Sequence, residues 1–185
     1  MISVNELRRG KVIKVDGDLF ACIEYEHHKP GKGKAYVRTK MRNLNKGSIV
    51  DMTFNSDDKV DDVFVEKRTA QYLYKDGESY IFMDSESYEQ NPVSAEELGD
   101  AVNYLKEEMD VEIDVYEGAI IGVELPNHVV LEVTYTEPGL KGDTSGTARK
   151  SAEVETGLTV NVPLFINNGD KLKIDTRTGE YIERM

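Results

Sequence analysis

One stretch of the sequence joins a glycine-rich turn to a strictly alternating segment: His27-His28-Lys29-Pro30-Gly31-Lys32-Gly33-Lys34-Ala35-Tyr36-Val37-Arg38-Thr39-Lys40-Met41-Arg42. Across residues 34–42, long basic or aromatic side chains alternate with smaller ones. This period of two predicts a strand with one basic face and one buried face. The apolar, β-forming residues 19–23 come before the turn and predict a partner strand. The sequence therefore predicts a β-hairpin with Lys32 at its tip.

The predicted tip has an unusual composition, because Lys32 stands between Gly31 and Gly33 and follows Pro30. Glycines cost conformational entropy but allow positive φ, so the tip can be thin and pliable. Pro30 fixes its own φ and stiffens the approach to the tip. Such a tip can carry a cation away from the body of the protein and into a crowded polyanionic cavity. On these residues alone, a plain surface turn with solvated lysines remains the alternative.

The remainder of the chain is dominated by short strand patterns and turns. Turns between strands are predicted at Asp16-Gly17, Asp76-Gly77 and Glu117-Gly118. One helix is predicted, because Ser94 and Glu97 have the spacing of a capping box. The apolar stripe of this helix, at helical spacing, is predicted to consist of Leu98, Ala101, Val102, Leu105 and Met109.

Short strands, frequent turns and one brief helix predict an all-β protein built from small barrels. We place three consecutive barrels at residues 1–64, 65–128 and 129–185. Each has about 60 residues, which is enough for a marginal independent core. The junctions are expected near Glu66-Lys67-Arg68 and Pro126-Asn127. Three such barrels in a row predict an extended molecule.

Charge is distributed unevenly along the chain. The formal net charge is −12, with −12 carried by residues 65–128, +2 by residues 1–64 and −2 by residues 129–185. An acidic middle barrel would be repelled by bare nucleic acid and by anionic membranes. In contrast, residues 27–50 contain seven lysines and arginines and no carboxylate. This local charge favours contact with phosphate, although a solvated strand face is the alternative.

Membrane and secreted proteins are disfavoured by the sequence. No run approaches the roughly 20 apolar residues of a membrane-spanning helix. The first residues contain no signal-peptide core, so we expect a cytoplasmic protein without a membrane partner. A single cysteine, Cys22, cannot form an internal disulfide bond or a multi-thiolate zinc site.

No constellation of catalytic residues is visible in the sequence. His27 and His28 are neighbours on a predicted strand and point to opposite faces, so we expect no joint metal site. Cys22 lies in an apolar strand and indicates a buried thiol rather than a nucleophile. The glycine-rich residues 31–35 and 139–150 lack the spacing and the following helix of a phosphate-binding loop. We therefore predict a protein that is not an enzyme and that uses no metal and no other cofactor.

Four segments of the chain form a distinctive series of motifs. They are Lys29-Pro30-Gly31-Lys32-Gly33-Lys34-Ala35, Pro138-Gly139-Leu140-Lys141-Gly142-Asp143-Thr144, residues 150–169, and Asp175-Thr176-Arg177-Thr178-Gly179-Glu180-Tyr181. In this order they resemble the motifs of bacterial translation elongation factor P, and the resemblance spans essentially the whole chain. It implies an N-terminal SH3-like, KOW-type barrel and two OB-fold barrels in an elongated, L-shaped arrangement that resembles transfer RNA.

The resemblance also implies a function. Factors of this family bind the ribosome between the peptidyl and exit sites and stimulate peptide-bond formation at consecutive prolines by positioning peptidyl-tRNA. Lys32 matches the family's functional lysine, which many members extend by a post-translational modification so that it reaches the peptidyl-transfer centre. Lys34 adds a second amine that could compete as the target of the modifying enzyme.

The resemblance assigns further residues to the site. The tip loop around Lys32 comprises Lys29, Pro30, Gly31, Gly33 and Lys34. Contact with ribosomal RNA and tRNA is assigned to Arg38, Lys40 and Arg42. The loop expected near the messenger RNA in the exit site comprises Gly142, Asp143, Thr144, Ser145, Gly146 and Thr147. The implied partners are ribosomal RNA, peptidyl-tRNA, messenger RNA and a lysine-modifying enzyme, and we expect a monomer.

Two alternatives remain open. An elongation-factor-P-like paralogue would share all three barrels, and the pattern Lys-Pro-Gly-Lys-Gly at residues 29–33 favours the main family over it. A generic OB-fold RNA-binding protein would present aromatic stacking platforms and bind free single-stranded RNA tightly.

Overall fold

The computed structural model describes residues 1–139 and 148–185. These residues form sixteen β-strands in three sheets and one four-residue helix, α1 (Ala95–Leu98). Two 3-10 turns, Val4–Glu6 and Gly99–Asn103, complete the regular structure of this part of the chain. The prediction of an all-β protein with one short helix is confirmed.

The first sheet has the strand order β1-β6-β2-β3-β4-β5. Its strands are β1 (Ile2–Ser3), β2 (Val12–Val15), β3 (Asp18–His28), β4 (Tyr36–Asn43), β5 (Ile49–Asn55) and β6 (Lys59–Asp62). The predicted turn joins β2 to β3, and Asp16 and Gly17 both have the positive φ, 50° and 87°, that a tight hairpin requires. The core of the sheet consists of Val4, Leu7, Ile13, Phe20, Cys22, Val37, Met41 and Val60.

The second sheet has the strand order β11-β10-β7-β8-β9. Its strands are β7 (Glu66–Asp76), β8 (Ser79–Asp84), β9 (Gln90–Ser94), β10 (Met109–Tyr116) and β11 (Ala119–Glu124). The predicted turns at Asp76-Gly77 and Glu117-Gly118 lie between β7 and β8 and between β10 and β11. Buried Tyr72 and Phe82 pack together with their ring centroids 5.5 Å apart.

Helix α1 begins at the predicted capping box but is far shorter than predicted. The Ser94 hydroxyl accepts a hydrogen bond from the Glu97 amide, and the Glu97 carboxylate accepts one from the Ser94 amide. The helix ends because Gly99 has a φ of +57°, outside the right-handed region. The prediction of a helical stripe that reaches Met109 was therefore wrong, and Met109 is the first residue of β10.

The third sheet has the strand order β14-β13-β12-β15-β16. Its strands are β12 (His128–Thr136), β13 (Arg149–Val154), β14 (Thr159–Pro163), β15 (Lys171–Asp175) and β16 (Tyr181–Arg184). Its core consists of Val129, Leu131, Val133, Ala152, Val154, Val160, Val162, Ile166, Leu172, Ile174 and Tyr104. All but Tyr104 lie within residues 129–174, so one aromatic ring comes from a different part of the chain.

The chain segment around Tyr104 is held onto the third sheet. The side-chain hydroxyl of Thr156 donates a hydrogen bond to the Asn103 carbonyl, and the Lys106 ammonium lies 3.3 Å from the Glu155 carboxylate. A Cβ atom added to Gly179 would lie 2.9 Å from the Tyr104 hydroxyl oxygen. The absence of a side chain at Gly179 therefore makes room for the Tyr104 hydroxyl.

Two compact units are present. The first consists of Met1–Arg68 and Ile113–Gly122, and the second of Thr69–Glu112 and Val123–Met185. The limits of these units fall within strands of the second sheet, so the barrel boundaries placed at residues 64 and 128 stay a prediction.

In the part of the chain that the structure describes, no helix is long and apolar enough to cross a bilayer.

The turn after β15 contains an ion pair between Asp175 and Arg177. From this pair we expect the stability of the folded protein to decrease at acidic pH. The Asp175 carboxylate accepts hydrogen bonds from the side chain of Arg177, at 2.9 Å, and from its backbone amide, at 2.8 Å. These bonds lower the pKa of Asp175 from 3.8 to about 2. Because the folded-state pKa is depressed, the stabilisation is present above the unfolded-state value and is lost as the pH falls through about 2.

We therefore expect Asp175→Asn to lower the urea midpoint of unfolding at pH 6. The difference from the wild-type protein should shrink as the pH approaches 2, since the wild-type carboxylate is then being protonated as well. Urea titrations of both proteins between pH 6 and pH 2 measure this. A difference that stays constant over the whole range would show that Asp175 acts through its shape and not through its charge.

Candidate functional site

Strands β3 and β4 form the hairpin that carries Lys32. They pair antiparallel from Phe20 opposite Asn43 to His28 opposite Tyr36, which is the last pair before the tip. The seven residues 29–35 connect the two strands, and we call them the tip loop. Lys32 lies at the centre of this loop and is exposed. The predicted hairpin with Lys32 at its tip is thus present.

The backbone of the tip loop turns sharply beside Lys32. Gly33 has a φ of +107°, a conformation that residues with a side chain rarely adopt. A Cβ atom built at Gly33 would lie 3.9 Å from the Pro30 ring, so the proline and this glycine approach each other across the turn. On the far side of the loop, the Ser56 amide donates a hydrogen bond of 3.0 Å to the Ala35 carbonyl. The loop therefore makes a close turn beside Lys32, and a backbone hydrogen bond to Ser56 holds it at Ala35.

The cations of the tip loop form no ion pair with the described carboxylates. Lys29, Lys32 and Lys34 are all exposed. Among the residues that the structure describes, no carboxylate oxygen lies within the 4.0 Å ion-pair distance of their ammonium groups. Three uncompensated positive charges in one short loop create a local potential that attracts phosphate groups.

The basic row on β4, formed by Arg38, Lys40 and Arg42, has a different environment. The predicted alternation is confirmed, because Val37, Thr39, Met41 and Asn43 are buried and alternate with these residues along the strand. However, Glu26 and Glu24 of β3 stand opposite Arg38 and Lys40, and the Lys40 ammonium lies 3.4 Å from the Glu24 carboxylate.

On its other side, β4 pairs with β5, which places Asp51 opposite Lys40. Residues that stand opposite each other in an antiparallel pair share one face of the sheet. The basic row therefore lies between carboxylates of the two neighbouring strands, β3 and β5. In the sequence these carboxylates are outside residues 27–50. Sequence reasoning missed this, although the period of two through Glu24, Glu26 and His28 would have placed both carboxylates on one face of a longer β3.

Two ring contacts lie at the base of the tip loop. The rings of His28 and Tyr36 are stacked, with centroids 4.9 Å apart and an interplanar angle of 15°. His27 contacts Tyr25 edge-on at 5.7 Å. Each histidine contacts a residue that shares its own face of the sheet, so the prediction that His27 and His28 point to opposite faces is confirmed. Sequence reasoning did not identify the His28–Tyr36 contact.

The remaining predictions concern Cys22, a metal site and the messenger RNA loop. Cys22 is buried at 2% exposure, as predicted, and burial raises the pKa of its thiol. Within residues 1–139 and 148–185, no three His, Cys, Asp or Glu side chains are grouped to hold a metal ion. The residues predicted for the messenger RNA loop lie outside the described residues. They are Gly142, Asp143, Thr144, Ser145, Gly146 and Thr147.

The second compact unit has an open cleft of about 440 Å³. Its lining includes three acidic residues, Asp110, Glu112 and Glu124, beside Leu125 and Pro126. A cleft with this charge repels the phosphate backbone of nucleic acid. The tip loop is therefore a better candidate for phosphate contact than this cleft.

Comparison with known families covers nearly the whole chain. Residues 3–60 match the family model described as the elongation factor P (EF-P) KOW-like domain. Residues 65–123 match the elongation factor P (EF-P) OB domain, and residues 129–184 match elongation factor P, C-terminal. The matched segments follow one another in the order that the sequence motifs predict.

Individual relatives agree with this result. Elongation factor P of Pelotomaculum thermopropionicum is 52% identical over 185 residues, and that of Clostridium botulinum is 51% identical over 185 residues. Both alignments cover 100% of this chain and 100% of the relative. Eukaryotic translation initiation factor 5A from Methanococcus jannaschii shares the fold, with a TM-score of 0.51 at 20% identity over 68% of this chain and 90% of that chain. The chain therefore belongs to the elongation factor P family, a family of translation elongation factors.

Proposed function

We propose that this protein binds the ribosome between the peptidyl and exit sites and stimulates peptide-bond formation at consecutive prolines by positioning peptidyl-tRNA. The observation that carries the proposal is the exposed Lys32 at the tip of a narrow hairpin, where no described carboxylate neutralises it. Membership in the elongation factor P family supports the same assignment.

The mechanism that we propose is positioning rather than acid–base chemistry. Proline is a rigid and poor nucleophile, and consecutive prolines misplace the nascent chain. Holding the acceptor end of peptidyl-tRNA restores a reactive geometry, and orientation of two reacting groups can supply a large part of a rate enhancement. Lys32 acts in this mechanism as a cation that extends from the barrel, and it transfers no proton.

The tip loop and the basic row have different roles in this proposal. Lys29, Lys32 and Lys34 have no described carboxylate within ion-pair distance, and they attract phosphates of the acceptor end directly. Lys40 is paired with Glu24 at 3.4 Å, so it contributes less net charge. We therefore assign phosphate contact first to the tip loop and only second to Arg38, Lys40 and Arg42, while the messenger RNA loop at residues 142–147 stays a prediction.

Modification of Lys32 is part of the proposal. The exposed ammonium between two glycines is open to a lysine-modifying enzyme, and an extension would lengthen its reach towards the peptidyl-transfer centre. Lys34 is also exposed and is the competing amine. Mass spectrometry of peptides from the protein isolated from its native cells would identify which lysine carries an extension.

A reconstituted translation system tests the proposed function. Ribosomes translating a template with three consecutive proline codons should stall without the protein, and the native protein should restore synthesis of the full product. A matched template with alanine codons in place of the proline codons should give the same yield with and without the protein. Equal stimulation of both templates, or of neither, would refute the proposal.

The generic RNA-binding alternative predicts a different result. It requires tight binding to free single-stranded RNA, whereas the acidic cleft beside Asp110, Glu112 and Glu124 disfavours it. Fluorescence anisotropy with a labelled oligonucleotide separates the two functions. Nanomolar binding to an arbitrary sequence would favour the alternative.

A further inference from the structure

The two arms of the tip hairpin are supported unequally. Strand β4 lies between β3 and β5, and Tyr36 stands opposite Asn55 of β5 as well as opposite His28. On the other side of β3, pairing with β2 extends only from Asp18 to Ala21. In the described part of the chain, residues 23–28 of β3 therefore have β4 as their one neighbouring strand.

The stacked rings join the weakly supported arm to the well supported one. His28 is the last residue of β3, and its ring lies on Tyr36 at 4.9 Å with an interplanar angle of 15°. The Glu26 carboxylate lies 3.2 Å from Nε2 of His28 and fixes the orientation of the imidazole. Arg38 stands opposite Glu26 on the same face of the sheet.

We propose that His28 and Tyr36 clamp the base of the tip loop and are positioning residues for Lys32. The inference rests on the proposed function, because it names the residues that hold the Lys32 cation where the ribosome requires it. His28 lies four residues before Lys32 and Tyr36 four residues after it, and the two close the hairpin at its last strand pair.

The physical reason is the length of the loop that moves with Lys32. With the His28–Tyr36 pair closed, residues 29–35 connect the strands. If the pair opens, His27 and Val37 become the last pair and the loop gains two residues. A loop with two glycines already has many conformations, so each added residue widens the distribution of Lys32 positions. A displacement of about 1 Å can lower a rate by about a hundredfold when orientation supplies the catalysis.

The first measurement concerns the loop itself and does not depend on the ribosome. Backbone ¹⁵N relaxation of the Gly31 and Gly33 amides reports the order of the tip loop on the ps–ns timescale. We expect His28→Ala to reduce their order parameters towards the flexible range, below about 0.6. His28→Phe should preserve them, since a phenyl ring can stack on Tyr36.

The matched control is His27→Ala. His27 is the neighbouring residue, carries the same side chain and is exposed, but it faces the opposite side of the sheet and contacts Tyr25 instead of Tyr36. Its replacement should leave the order parameters of Gly31 and Gly33 unchanged. Thermal melting of all three variants monitors the fold.

The second measurement is relief of stalling at three prolines, with ribosome affinity measured in parallel. We expect His28→Ala to reduce the stimulated rate about tenfold while affinity changes less than about twofold, and His28→Phe to restore most of the rate.

Unchanged order parameters in His28→Ala would overturn the clamp. Reduced order with undiminished stimulation would overturn the positioning role. If the wild-type protein itself gives no stimulation, the proposed function and the positioning role fail, while the amide data still decide whether the rings order the loop.

Discussion

Replacing Lys32 with alanine should abolish relief of polyproline stalling while the protein still binds the ribosome. The substitution removes the central cation of an exposed loop and leaves its backbone able to fold as before. Synthesis from a template with three proline codons should fall to the level seen without the factor, a loss of about tenfold or more in the stimulated rate. Quantitative synthesis of a Pro-Pro-Pro reporter measures this loss.

Ribosome affinity should respond much less, because Lys32 is one of several cations to which we assign RNA contact. Each phosphate contact contributes about 0.7–0.9 to the slope of log affinity against log salt concentration, so Lys32→Ala should lower this slope by at most about one. Lys14→Ala is a matched control, since Lys14 is an exposed lysine of β2. It should retain full stimulation. Complete relief of stalling by Lys32→Ala would remove the basis of the proposed mechanism.

The charge environment explains why Lys32 should matter more than the cations of the basic row on β4. In the basic row, the Lys40 ammonium is already 3.4 Å from the Glu24 carboxylate, and this exposed pair is screened by water. A phosphate that approaches Lys40 also meets the carboxylates of Glu24 and Asp51. Lys32 has no such neighbour among the described residues, so its full charge is available to a polyanion.

Local sequence signals predicted the local structure well. The alternation through Val37, Thr39 and Met41 identified the buried face of β4, because side chains of a strand alternate between faces whatever its partner. Asp16-Gly17 identified a hairpin turn, because both positions need positive φ. The Ser94–Glu97 capping box identified the first residue of a helix.

Features that depend on strand register or on contacts between segments were not predicted. Glu24 is close in space to Lys40 because the two residues stand opposite each other in the β3–β4 register, and no local pattern states that register. The apolar stripe from Leu98 onwards was assigned to a helix, but Gly99 ends the helix with positive φ. Beyond Gly99, Leu105 of the predicted stripe is buried while Ala101, Val102 and Met109 are half-buried. Tyr104, which the stripe did not include, is buried in the core of the third sheet.

Tyr104→Ala should give the largest loss of stability of any substitution considered for this chain. Tyr104 is 8% exposed and belongs to the core of the third sheet, together with fully buried residues such as Leu131 and Ile174. Truncating a buried aromatic residue to alanine costs about 3–5 kcal/mol, because the transfer free energy is lost and a cavity remains. In a protein of this size, each kcal/mol lowers the melting temperature by about 2–4 °C, so we expect a decrease of roughly 10 °C.

Circular dichroism melts of three variants identify the cause of that decrease. Tyr104→Phe keeps the ring and removes the hydroxyl beside Gly179, so it should melt within a few degrees of the wild-type protein. Tyr135→Ala removes a tyrosine that is 59% exposed and should cost at most about 1 kcal/mol. If Tyr104→Ala melts like Tyr135→Ala, the ring fills no essential space in the core. If Tyr104→Phe is as damaging as Tyr104→Ala, the hydroxyl rather than the buried ring holds residues 103–106 on the third sheet.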